Sequence, residues 1–159
     1  MSYDTAQICE NGHLINSSSE QDPGNNKEYC DICGAKTISA CKNCNKNIQG
    51  YYSPDDRMGT SYAPEVPAFC MYCGKPFPWT ELRIKSAQEL AMEMDGATPE
   101  ERELLSKSID DIVRDTPRTA LAAIRFKKIA AKGGKIIAEG FRDILVDVLS
   151  ETAKKIIWP

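Results

Sequence analysis

The chain has 159 residues, with 20 basic and 23 acidic side chains, a formal charge of −3, and one histidine beside seven cysteines. That length suits one domain or two small ones, the slightly acidic balance argues against nonspecific nucleic-acid binding, and an odd cysteine count excludes a disulfide framework that pairs every thiol. The opening MSYDTAQICENGHLI has no basic region followed by an apolar core, and no segment approaches the roughly 18 uncharged apolar residues of a membrane span. No membrane insertion is expected, and clustered cysteines fit a reducing, cytoplasmic setting better than an oxidising one.

From Cys9 to Cys73 all seven cysteines and the histidine fall into four close pairs: Cys9 and His13, Cys30 and Cys33, Cys41 and Cys44, Cys70 and Cys73. Eight ligands are what two closed, tetrahedral, structural zinc sites require. Free cysteines are commonly buried as small hydrophobes, but three separate two-residue gaps point to metal. Iron or an iron–sulfur cluster is the alternative to zinc. Seven thiolates and two dications would take the formal charge from −3 to about −6.

An internal repeat organises these ligands. ICENGHLI followed by YCDICGAKTI aligns with ACKNCNKNI followed by FCMYCGKPF. The second pair of each copy is preceded by an aromatic residue, Tyr29 or Phe69, and followed by Gly34 or Gly74, where a tight turn around a metal uses glycine's access to positive φ. Each copy reads as one zinc ribbon. Site one would be Cys9, His13, Cys30 and Cys33, and site two Cys41, Cys44, Cys70 and Cys73. Spacing alone also permits an interleaved or a nested pairing; the repeat favours the sequential one.

The two insertions differ in kind. Residues 16–28 are polar and rich in turn formers, and are expected to form a mobile loop or hairpin tip with nothing to bury. Residues 49–69 carry Tyr51, Tyr52, Tyr62 and Phe69 with three prolines, which suits either a contact surface or simple packing over a small ribbon.

The set CENGHLI, CDICGAKTI, CKNCNKNIQGYY and FCMYCGKPFPWTE resembles an uncharacterised bacterial family of tandem zinc-ribbon proteins, over roughly residues 8–95. The resemblance implies the zinc-binding fold and a cytoplasmic bacterial setting. It brings no activity with it.

Beyond the ribbons the pattern turns helical. Pro76 and Pro78 oppose helix, Thr80 is a candidate N-cap, and Trp79 is expected between the two halves. A first helix from Glu81 to about Met94 places Ile84, Ala87, Leu90, Ala91 and Met94 on one face and ends at Asp95 and Gly96. Thr98, Pro99 and Glu101 spell a capping box for a second helix that buries Leu105, Ile109, Ile112 and Val113. Thr116 and Pro117 signal a third, running to about Lys132 with Leu121, Ile124 and Ile129 inward. After Gly133 and Gly134, a last helix from about Lys135 to Ile157 turns Ile137, Phe141, Ile144, Leu145, Val148 and Ile156 to one side.

The fold expected is therefore α+β: two consecutive zinc ribbons in residues 1–79 and a small four-helix region in residues 80–159. Charge is sorted between the helices, with ten acidic and five basic residues in 81–115 against six basic and no acidic ones in 116–135. The basic segment 117–135 offers a nucleic-acid reading, although the acidic helices are natural partners within the chain.

With all eight ligands closing two structural sites, no histidine or cysteine remains as a base, nucleophile or redox centre, so an enzyme is not expected. Asp55 and Asp56 sit in a Pro-Asp-Asp turn and read as turn formers. The leading reading is a noncatalytic adaptor that binds two zinc ions and a protein partner, with a homodimer interface available in the helical region. A nucleic-acid-binding ribbon protein is the alternative, and a thiolate redox or zinc sensor the third.

Overall fold

A computed structural model describes residues 2–53 and 65–159. Tyr62, Asp55 and Asp56 lie outside the described residues. The chain divides into two compact units, Met1–Glu81 and Leu82–Pro159. The architecture is α+β, with small sheets in the first unit and helices in the second.

The first unit carries five short strands: β1 (Ser2–Thr5), β2 (Gln7–Cys9), β3 (Leu14–Asn16), β4 (Thr37–Ile38) and β5 (Gln49–Ser53). β3, β2 and β4 form an antiparallel sheet in that order, with Ile8 opposite Ile38, and β1 pairs with β5 antiparallel, with Tyr3 opposite Tyr52. Isolated bridges join Tyr29 to Lys36, Ala40 to Asn47 and Phe69 to Pro76, each spanning one two-cysteine turn. The unit's core is small: Ala6, Ile8, Cys41, Ile48, Cys70, Phe77 and Trp79. Two of those seven are metal-ligand cysteines, so the core cannot be separated from the site it surrounds. Trp79 is buried here, stacked on Phe77 at 4.7 Å between ring centroids and donating Nε1–H to the Pro67 carbonyl at 2.9 Å. It belongs to the core of the first unit.

Residues 16–28 are more ordered than their composition suggests. The buried Asp4 carboxylate accepts backbone N–H groups from Thr5, Glu20 and Gln21 at 2.6, 3.0 and 3.2 Å. Asn16, also buried, donates to the Asp22 carbonyl at 2.9 Å and to Asn26 at 2.8 Å, and Ser19 donates to the Thr5 carbonyl at 2.6 Å. A loop without apolar residues is thus fixed by buried polar groups that are all satisfied, which is the condition for burying them cheaply.

The first helix, α1 (Pro78–Glu93), begins earlier than expected, with Pro78 at a first-turn position that needs no N–H. Thr80 is therefore no cap; its hydroxyl donates to the Ala68 carbonyl at 2.7 Å. α2 (Pro99–Val113) is capped by Thr98, which accepts from the Glu101 N–H at 3.2 Å, and buries Leu105, Ile109, Ile112 and Val113 as expected. The Glu101 carboxylate bonds Lys132 at 2.8 and 2.9 Å.

α3 (Thr119–Ala130) starts later than its Thr-Pro signal; it buries Ile129 as expected, together with Ala122, Ala123, Phe126 and Ala130. Leu121 and Ile124, expected inward, are 50% and 45% exposed. The cause is helix phase, because Phe126 meets Phe141 edge-on at 5.0 Å and small alanines let α2 and the segment 151–157 approach α3. The last helical stretch is interrupted, giving α4 (Gly134–Leu145) and α5 (Glu151–Ile157), with Ser150 accepting from the Ala153 N–H at 3.3 Å as a new N-cap. That break turns Ile157 rather than Ile156 into the core. No helix among the described residues is long and apolar enough to cross a membrane.

Candidate metal centres

The two-cysteine turns share one backbone design. In each, the N–H of the first cysteine bonds a carbonyl five residues on: Cys30 to Ala35 at 2.8 Å, Cys41 to Lys46 at 2.9 Å, Cys70 to Lys75 at 2.9 Å. In each, the residue after the second cysteine returns its N–H to the first cysteine's carbonyl at 2.8 Å: Gly34, Asn45 and Gly74. Those three residues have φ of +76°, +62° and +73°, which explains glycine at two of them and asparagine, the side chain that best tolerates this region, at the third. The Cys9–His13 turn does the same with one residue fewer between the hydrogen-bonded groups, Cys9 N–H to His13 O at 3.0 Å and Gly12 N–H to Cys9 O at 2.9 Å.

These turns bring the eight sequence-chosen residues into two groups: Cys9, His13, Cys30 and Cys33, and Cys41, Cys44, Cys70 and Cys73. The grouping follows the internal repeat, not an interleaved pattern. Within each group all ligand atoms lie within 4.8 Å of one another. Cys9 Sγ stands 3.7 Å from Cys33 Sγ, and 3.7 Å also separates Cys41 from Cys73 and Cys44 from Cys70. His13 Nδ1 is 3.4 Å from Cys9 Sγ and 3.6 Å from Cys30 Sγ.

Simple geometry tests the fit. Four sulfurs at about 2.3 Å from a central ion define tetrahedral edges of about 3.8 Å, and a sulfur and an imidazole nitrogen define one of about 3.5 Å. The observed separations match both. A disulfide would need about 2.05 Å, and every cysteine here is a free thiol. Each group can therefore hold one metal ion in a closed, four-ligand shell with no protein-free position, one through three thiolates and an imidazole, the other through four thiolates.

The electrostatics repeat as well. Cys33 is lowered to about 6 by the Ala35 N–H and by the Asn11 side chain, and Cys73 to about 6 by the Lys75 N–H and the Asn43 side chain. At Cys44 the Lys46 N–H pulls the same way, but burial and the thiols of Cys70, Cys41 and Cys73 push it up to about 11. Burial likewise raises Cys9. One thiol per group is thus ready to ionise, and a metal cation supplies what the others need. Asn11 and Asn43, whose side chains bond Cys33 and Cys73, are members of the site that cysteine counting misses. Their signal is in the repeat, since each stands two residues after its copy's first cysteine in C-x-N.

No curated protein and no solved structure matches the chain. The family model described as an uncharacterized protein conserved in bacteria (DUF2321) matches residues 2–157, and the chain belongs to that family.

Proposed function

We propose that this protein is a zinc-binding, noncatalytic adaptor of the cytoplasm, whose ribbons hold apolar side chains out to a protein partner. Zinc fits the closed tetrahedral shells and the sulfur-rich donor sets, and has no redox chemistry of its own to manage. The observation that carries the reading is the exposure of the turn tips: Ile32 is 73% exposed, Met71 65% and Tyr72 55%. Each sits between two ligands, where the backbone is fixed by the turn, so its side chain loses little further freedom on binding. Lys46 lies over the Tyr72 ring at 4.7 Å and steadies it. Met71 also lines a groove of about 240 Å³ with Tyr3, Pro67 and Phe69. With both shells closed, the ligands are structural, and no other cysteine or histidine is available for chemistry.

The test couples metal content to capture. Elemental analysis of protein made in medium containing both zinc and iron should give two zinc ions per chain. A photo-crosslinking residue at position 32 or 72 should then trap a protein from nuclease-treated extract, and Ile32→Ser combined with Tyr72→Ser should abolish the same product formed from a crosslinker placed beside the tips. Loss of capture on nuclease treatment alone would replace this reading with nucleic-acid binding. Iron in place of zinc, or reversible metal release at modest peroxide, would favour a sensor.

A further inference from the structure

The outward turn of α3 leaves an unusual surface on the second unit. Leu121, Ile124, Arg125 and Lys128 follow i, i+3, i+4 and i+7 spacing and so share one exposed face. Between this face and α2 runs a cleft of about 130 Å³, whose apolar lining comes from Leu104, Leu121 and Ala122. That is less than half the roughly 300 Å³ at which ordinary small-molecule pockets begin. It has room for an apolar side chain and not for a cofactor.

Around the apolar lining stand Lys107, Arg118 and Arg125. Lys107 pairs with Glu103 at 3.0 Å and Arg118 with Asp111 at 3.3 Å, both on the surface. Arg125 and Lys128 have no ion-pair partner among the described residues. The face is therefore apolar along its middle and positive along its edge.

We infer that the α2–α3 face is a docking site for an acidic amphipathic helix of another protein. One apolar residue of that helix enters the cleft beside Leu104 and Leu121, the next turn's apolar residue covers Ile124, and its carboxylates meet Arg125 and Lys128. A helix with apolar anchors at i, i+3 or i+4 and acids beside them is the complement of this spacing. Duplex nucleic acid is a poorer complement, because its phosphates would meet the apolar Leu121 and Ile124 along the middle of the face, where a helix sets apolar anchors. The site belongs to the second unit and does not depend on the role proposed for the ribbon tips.

Fluorescence anisotropy with the full, zinc-loaded chain tests this. The probe is a fluorescein-labelled amphipathic helix of alanine, leucine and glutamate; the comparisons are the same peptide with lysine for glutamate, and a labelled DNA duplex. The glutamate peptide should bind, weaken as salt is raised, and lose about tenfold in affinity with Arg125→Glu and again with Leu121→Ser. Lys155→Glu, an exposed charge reversal on α5, should leave binding unchanged. All three positions are exposed, so circular dichroism should be unaltered. Equal binding of the two peptides, insensitivity to Arg125→Glu and Leu121→Ser, or tighter binding of the duplex would overturn the assignment. So would sedimentation showing a dimer that Leu121→Ser converts to monomer, since the face would then belong to a second copy.

Discussion

Replacing Cys70 with serine should remove one metal ion and unfold half of a unit while leaving the other metal in place. Cys70 is both a ligand of the second group and a member of the seven-residue core. A structural zinc site contributes about 10–16 kcal/mol of apparent binding free energy, as much as or more than the roughly 5–15 kcal/mol by which a whole domain is stable. Once a ligand is lost, Ile48, Phe77 and Trp79 cannot hold the second ribbon together without the ion. The first group draws its ligands from β2, the β2–β3 turn and the Cys30–Cys33 turn, none of which includes Cys70. Native mass spectrometry should therefore fall from two ions per chain to one. Maleimide labelling followed by peptide mapping should mark Cys41, Cys44 and Cys73 and spare Cys9, Cys30 and Cys33. Labelling of Cys9 or Cys30 at a rate equal to that of Cys41 would refute the sequential grouping, and retention of both ions would refute the assignment of Cys70 as a ligand.

Asp4→Asn should cost about 2 kcal/mol in urea unfolding, since it removes the charge that three backbone N–H groups face. Burial raises the Asp4 pKa, but the N–H groups of Glu20, Thr5 and Gln21 outweigh it and leave the pKa below the usual carboxylate value. Its contribution is thus complete above the unfolded value of about 3.9 and lost only as pH falls through the lower folded one, so the gap between wild type and variant should be constant from pH 8 to 6; a gap that changes there would contradict the assignment. Gly50→Ala would place a Cβ 2.3 Å from the Ser17 carbonyl oxygen and 2.8 Å from the Ala6 nitrogen, both main-chain atoms, and should cost about 3 kcal/mol or give insoluble protein. Asn43→Ala should keep two ions bound but speed transfer of one to a chelator about tenfold, with Asn11→Ala doing the same at the first site. Equal release rates would show that the asparagines only fill space. Thr98→Ala should lower helical stability by about 1 kcal/mol through the lost cap of α2, read as a small shift in the thermal midpoint.

The metal ligands could be read from the sequence because each pair is written at a fixed local spacing, and the grouping because one copy of the ribbon repeats the other. α2 was equally legible: Thr98, Pro99 and four core residues all state the same helix. What stayed hidden depended on distant residues. Nothing near 16–28 announces order, since its anchor is Asp4 on another strand. The facing of Leu121 and Ile124 follows from Phe126 meeting Phe141 and from alanines chosen for closeness, so counting large apolar residues puts the wrong side of α3 inward. Ser150 followed by Glu151 was a start signal in plain view, masked by an apolar period that ran through it. Asn11 and Asn43 were visible in the alignment of the two copies but are not ligand types.

The amides that face the sulfurs belong to the main chain. The ligands and one left-handed residue, Gly34, Asn45 or Gly74, therefore carry most of what each turn needs. Ile32, Met71 and Tyr72 are held in fixed places without being required for holding anything themselves. Such positions behave as interchangeable letters on a rigid type block: their side chains can change without disturbing the ligand turns that carry them.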